Sequence, residues 1–199
     1  MKKLFQVSMI ITMISLVLAC KPEVSPGDQF FAKGQFEQAI EAYSQKLEFS
    51  PNDVRILYNR GRAFEEMKKY EEAKSDFDKA LTLDPNNFQV LLSLANLNHK
   101  QKKYNAALLY ANKAAEIPGA PAMASFMKAR AQHQLGDTKE ALASYGQAIQ
   151  IDKDFGQAYY NRGLLKIATG RIGSACEDFQ LALALEYPGA QEASNKYCK

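Results

Sequence analysis

Along residues 54–87 the apolar positions recur at helical spacing: Leu57, Gly61 and Phe64 lie four and three apart, Phe77, Ala80 and Leu81 three and one apart. Each set makes one face of an α-helix. The pattern is interrupted at SPND (50–53), DPNN (84–87) and IPGAP (117–121), where proline, glycine and asparagine predict turns. The predicted elements are therefore helices of moderate length broken at regular intervals.

The interval is constant. YNRG occurs at 58–61 and at 160–163, an offset of three times 34, and at the same spacing stand Ala39, Ala73, Ala107, Ala141 and Ala175. The units run 20–53, 54–87, 88–121, 122–155 and 156–189, with no insertion. Position eight of the units reads Gly27, Gly61, Ala95, Ala129 and Gly163; position 24 reads Tyr43, Phe77, Ala111, Tyr145 and Phe179; position 27 reads Lys46, Ala80, Ala114, Ala148 and Ala182. This period and pattern resemble the tetratricopeptide-repeat family. The resemblance implies an all-α, right-handed superhelical solenoid of antiparallel helix pairs. Small residues stand where helix backbones approach, and aromatics fill the space beside them. No unit carries the tryptophan often found at position four of that family.

The N-terminus adds a second resemblance. Lys2 and Lys3 precede an apolar run from Leu4 to Ala19, shorter than the about 20 residues a spanning helix needs. A positive end, an apolar middle and a small residue at the cut make an export signal. Val17, Leu18, Ala19 and Cys20 resemble the bacterial lipoprotein signal, which implies cleavage after Ala19 and lipid, palmitate included, on Cys20. The other reading is an ordinary cleaved signal with an incidental cysteine. Two or more acyl chains make a stable anchor, and Lys21 agrees with sorting to the outer membrane, facing the periplasm. Residues 20–26, with Pro22 and Pro26, read as lipidated cysteine and short tether.

Charge narrows the partners. Without residues 1–19, Lys plus Arg falls from 25 to 23 against 22 Asp plus Glu. A near-neutral chain without a basic block is a poor candidate for nucleic acid. No nucleophile elbow, phosphate-binding glycine loop or zinc spacing occurs, so the sequence predicts neither an enzyme nor a bound cofactor or metal.

The two ends of the array differ from its middle. The first unit is a partial repeat, to residue 53. Its first helix meets Pro22, Pro26 and Gly27, which predicts a short helix from about Pro26 to Lys33 before a full one over Phe36 to Phe49. After residue 189, AQEASNKYCK (190–199) reads as the capping helix that covers a solenoid's last apolar face. Cys176 lies about 12 residues before the turn near Pro188 and Cys198 about 10 after it, which brings them to similar height in an antiparallel pair at about 1.5 Å per residue. An exported protein meets oxidising conditions, so a Cys176–Cys198 disulfide is predicted, and Cys20 assigned to lipid accounts for the odd count. Two unpaired buried cysteines are the alternative.

Arg60 and Arg162, at position seven, each have an aspartate 16 residues on, Asp76 and Asp178. They are predicted to form ion pairs within the repeat.

The resemblance implies a concave groove lined by the first helix of each repeat. The groove positions here are Tyr58, Leu92, Phe126 and Tyr160 in one row, Asn59, Ser93, Met127 and Asn161 in the next, and Arg62, Asn96, Arg130 and Leu164 in a third. Asparagines suit a peptide backbone, arginines a carboxylate, and aromatics supply anchors. The expected ligand is a peptide or protein segment with an acidic or carboxylate feature. Gln89 and Ser93 depart from the carboxylate clamp of chaperone-binding relatives. Glu65, His99 and His133 share one groove position, and solvated side chains describe them better than a metal site does. The function implied is a lipid-anchored scaffold at the bacterial envelope. The alternative is a soluble periplasmic subunit or support of an enzyme complex.

Overall fold

The alanines found at intervals of 34 are lines of close helix contact. Ala39, Ala73, Ala141 and Ala175 are 0% exposed and Ala107 2%. A larger side chain at any of them would overpack the core, at a cost of about 1–3 kcal/mol. A computed structural model describes residues 25–198; Cys20, the leader before it and Lys199 lie outside the described residues.

Eleven helices and no strand are present among the described residues. They are α1 (Pro26–Ala32), α2 (Phe36–Phe49), α3 (Val54–Glu66), α4 (Tyr70–Leu83), α5 (Phe88–Lys100), α6 (Tyr104–Glu116), α7 (Ala122–Leu135), α8 (Thr138–Ile151), α9 (Gly156–Ala168), α10 (Ile172–Ala184) and α11 (Ala190–Tyr197). Odd and even helices pair antiparallel from α1/α2 to α9/α10, and α11 packs on α10.

Local chemistry sets the boundaries. Asp53 caps α3 by accepting from the Ile56 amide at 3.1 Å, and Asn87 caps α5 by accepting from the Val90 amide at 3.2 Å. Ser25 accepts from the Asp28 amide, and Pro26 opens α1 in the first turn, where proline is tolerated. The turn inside every repeat needs a left-handed residue at position fifteen. Gly34, Gly136 and Gly170 supply it without strain, whereas Lys68 and Lys102 adopt φ of 59°.

Inside each repeat, positions eight and 24 meet. A Cβ on Gly27 would stand 2.4 Å from the Tyr43 ring, on Gly61 2.6 Å from Phe77 and on Gly163 2.7 Å from Phe179. In these three repeats the missing Cβ lets the ring lie against the first helix, whereas the fourth pairs Ala129 with Tyr145. The predicted ion pairs form: Arg60 donates to both carboxylate oxygens of Asp76 at 2.8 and 2.7 Å, and Arg162 to those of Asp178 at 2.9 and 2.6 Å. Lys166 adds a second cation to Asp178 at 2.8 Å. Both aspartates are buried, so these bidentate pairs fix helix register inside the repeat.

At the C-terminal end Cys176 and Cys198 are joined, S–S 2.02 Å. The bridge ties α11 to α10, and Tyr197 stacks on Phe179 with ring centroids 6.2 Å apart.

Candidate functional site

The first helices α1, α3, α5, α7 and α9 stand side by side, and polar side chains link neighbours across this face. The first link centres on Asp28. One of its oxygens accepts from the Tyr43 hydroxyl at 2.7 Å and the Asn59 amide at 2.9 Å; the other accepts from Arg55 at 3.0 Å. Burial pushes the Asp28 carboxyl up, but hydrogen bonds from Ser25, Tyr43 and Arg55 and the Arg55 charge outweigh it and hold the group below its usual range. Burial, then the bond to Asp28, pushes the Tyr43 hydroxyl up.

Glu65 of α3 makes the second link, accepting from Asn96 at 2.9 Å and Lys100 at 2.8 Å, both on α5. The third joins Arg130 of α7 to His99 Nδ1 of α5 at 3.3 Å. Arginine only donates, so Nδ1 accepts and the imidazole proton sits on Nε2. Burial and then the Arg130 charge hold the His99 pKa below its usual value.

Between α3 and α5 the face opens into a cavity of about 400 Å³, where Tyr58, Leu92 and Met127 supply apolar surface and Arg62, Glu66 and Asn96 polar groups. The Arg62 guanidinium lies 4.8 Å from the Phe31 ring centroid and 5.9 Å from that of Tyr58. Among the described residues it meets no carboxylate. It is an exposed, stacked cation at the cavity edge.

Models described as TPR repeat and tetratricopeptide repeat together match residues 27–109 and 129–187. The chain belongs to the tetratricopeptide-repeat family. Its array is a scaffold for protein–protein interaction, and the matched models belong to no enzyme family. Among solved structures it resembles MamA, at 26% identity and TM-score 0.74 over 84% of this chain and 98% of that one. PilW, described as a widely conserved type IV pilus biogenesis factor, has 17% identity and TM-score 0.74 over 86% of each chain. YrrB, a TPR protein described as having an unusual peptide-binding site, has 21% identity and TM-score 0.68 over 91% of this chain and 97% of that one. No curated protein sequence matches significantly.

Within this tetratricopeptide-repeat array the sequence-predicted groove residues are dispersed. Tyr58, Arg62, Leu92 and Asn96 meet at the cavity, together with Ser93 and Met127. Phe126 does not line a groove: it is 1% exposed, covered by Tyr145 with ring centroids 5.8 Å apart and by Phe155 at 4.9 Å. Phe155 stands at the N-cap of α9, where α3 and α5 have Asp53 and Asn87, and this apolar residue folds down over Phe126. Tyr160 packs against Tyr187 and Phe179, and Asn161 donates to the Gln157 carbonyl of its own helix. Asn59 and Asn96, read as donors to a ligand backbone, are engaged by Asp28 and Glu65.

Glu65, His99 and His133 do not converge. Among the described residues no three His, Cys, Asp or Glu side chains come together to hold a metal ion. Sequence reasoning missed Asp28, Phe31 and Lys100. The available signal was a carboxylate in the partial repeat, three positions beyond Ser25, with Arg55 and Asn59 on the next first helix.

Proposed function

We propose that the array holds an extended peptide or protein segment along its first-helix face, working from a lipid anchor on Cys20 at the bacterial envelope, most simply the periplasmic side of the outer membrane. The observation that carries the reading is the Arg62 cavity. It combines an exposed cation lacking a carboxylate with the half-buried apolar surface of Tyr58, Leu92 and Met127. A segment with an acidic side chain or terminal carboxylate complements that pair of features.

Support for the location comes from two ends of the chain. The LVLAC stretch places a cysteine where lipoprotein signals end, and the Cys176–Cys198 bridge suits an oxidising compartment. The similar folds of PilW, a type IV pilus biogenesis factor, and of YrrB, a TPR protein with an unusual peptide-binding site, support the reading.

Affinity capture from detergent-solubilised membranes tests the face. Wild type is expected to retain a partner that Arg62→Ala with Arg130→Ala loses, and equal recovery by both would remove the groove assignment. Detergent partitioning tests the anchor. Wild type should enter the detergent phase and Cys20→Ser should stay aqueous; if both stay aqueous, the anchor is wrong.

A further inference from the structure

The first repeat is incomplete in a way that leaves a surface. Helix α1 has seven residues, whereas the other four first helices have 13 or 14. Its partner α2 has the full 14. The C-terminal half of α2 therefore lacks the neighbour that covers the equivalent stretch elsewhere. Position 27 records the difference: Ala80, Ala114, Ala148 and Ala182 are 0% exposed, and Lys46 takes their place on an open face. A cavity of about 280 Å³ results, walled by Ala42, Tyr43, Ile56 and Phe49 and flanked by Lys46 and Arg55. Phe49 is 83% exposed; its equivalents Leu83 and Ile151 are 41% and 51% exposed.

Ser25 also lines this cavity, at the N-cap of α1, so the first helix begins at the cavity's edge. Ser25 lies five positions after Cys20, and five fully extended residue steps reach at most about 18 Å. We infer that this open end, centred on Phe49, rests on the interfacial layer of the membrane that holds Cys20. The inference depends on the lipid anchor proposed above. An anchored chain brings the face to within its tether's reach of lipid whatever else it does, and an exposed aromatic beside the long basic side chain of Lys46 suits that boundary. The ring enters the headgroup layer while Lys46 extends its charge toward water and phosphate, Arg55 remaining paired with Asp28. The array would then stand with its first repeat on the membrane and α11 furthest from it.

The chain contains no tryptophan, so Phe49→Trp introduces a single reporter at an exposed site. Leu181→Trp, at a side chain 46% exposed in the last repeat, supplies the control. The lipidated full-length proteins are reconstituted in phosphatidylcholine vesicles with brominated acyl chains. Flotation with the vesicles reports the anchor, and bromine quenching reports the face. The expected result is flotation of both variants, with position 49 quenched at least about twofold more than position 181, as an aromatic at the acyl boundary should be. Flotation with equal quenching overturns the inference and leaves the anchor standing; failure to float removes both. Protection of position 49 from acrylamide without vesicles, lost on dilution, would assign the face to a second copy of the chain and overturn the inference as well.

Discussion

Both ends of the array carry a helix too short to hold itself, and the two ends fasten it by different chemistry. Helix α1, of seven residues, is held through the Asp28 carboxylate and its partners Tyr43, Asn59 and Arg55. Helix α11, of eight, is held by the Cys176–Cys198 bridge and by Tyr197 on Phe179. Isolated helices of this length do not persist in water, so each depends on its fastening. A polar fastening responds to pH and a covalent one to reductant. The two ends should therefore loosen under different conditions.

The largest expected effect lies beneath the C-terminal cap. Asp178 is 2% exposed and holds both Arg162 and Lys166, so Asp178→Ala leaves two cations partly buried and unpaired, at about 3–5 kcal/mol. Urea unfolding followed by circular dichroism would measure it; a loss under 1 kcal/mol would show that the last repeat does not need the pair. Next comes Cys198→Ser, expected to cost about 3 kcal/mol by the chain-entropy estimate for a loop of this length. Hydrogen exchange should show faster exchange in α11 and unchanged rates in α1. Equal acceleration at both ends would erase the distinction between them.

Asp28→Ala should cost about 2 kcal/mol, since it removes the acceptor of three hydrogen bonds and leaves a buried tyrosine hydroxyl unpaired. This fastening has a defined pH dependence. The folded pKa of Asp28 lies below its ordinary value of 3.8, so its contribution is complete above that value and disappears as pH falls through the lowered one. Amide exchange in α1 should rise on acidification before that in α11, and simultaneous loosening would contradict the account. The smallest effect belongs to the turns between the ends. Lys68→Gly and Lys102→Gly relieve a left-handed backbone but loosen the unfolded chain, for a net gain of about 0.5 kcal/mol each. A thermal melt would register it, and destabilisation would mean that the lysine side chains contribute contacts of their own.

The repeat architecture was legible because it depends on one residue recurring at one spacing. Alanine at position 20 and the small–aromatic pairing of positions eight and 24 describe contacts inside a repeat, and such contacts follow the period. The Arg–Asp pairs were legible for the same reason, and the short first helix because Pro26 can stand only in a helix's first turn. The face that meets a ligand was less so. Groove positions taken by number assume that every repeat turns the same side chains outward. Phe126 makes the same contact with position 24 as Tyr58 and Tyr160 do, but Phe155 stands in place of a polar cap and covers it. Asn59 and Asn96 had acceptors on the preceding repeat, 31 residues back in each case, a separation that the 34-residue period does not bring to attention. Position fifteen was hidden in part, since lysine stands at 68 and 102 where glycine would have announced a left-handed turn.

Those links make the joints of the array unlike one another. Asp28 with Asn59, Glu65 with Asn96 and His99 with Arg130 lace the first helices together at successive junctions. At the next junction, between α7 and α9, no such hydrogen bond occurs among the described residues, and position nine is Leu164. There the stack of Phe155 on Phe126 takes the place of a polar link. A partner lying along the whole face would meet polar rungs as far as α7 and an apolar joint beyond it.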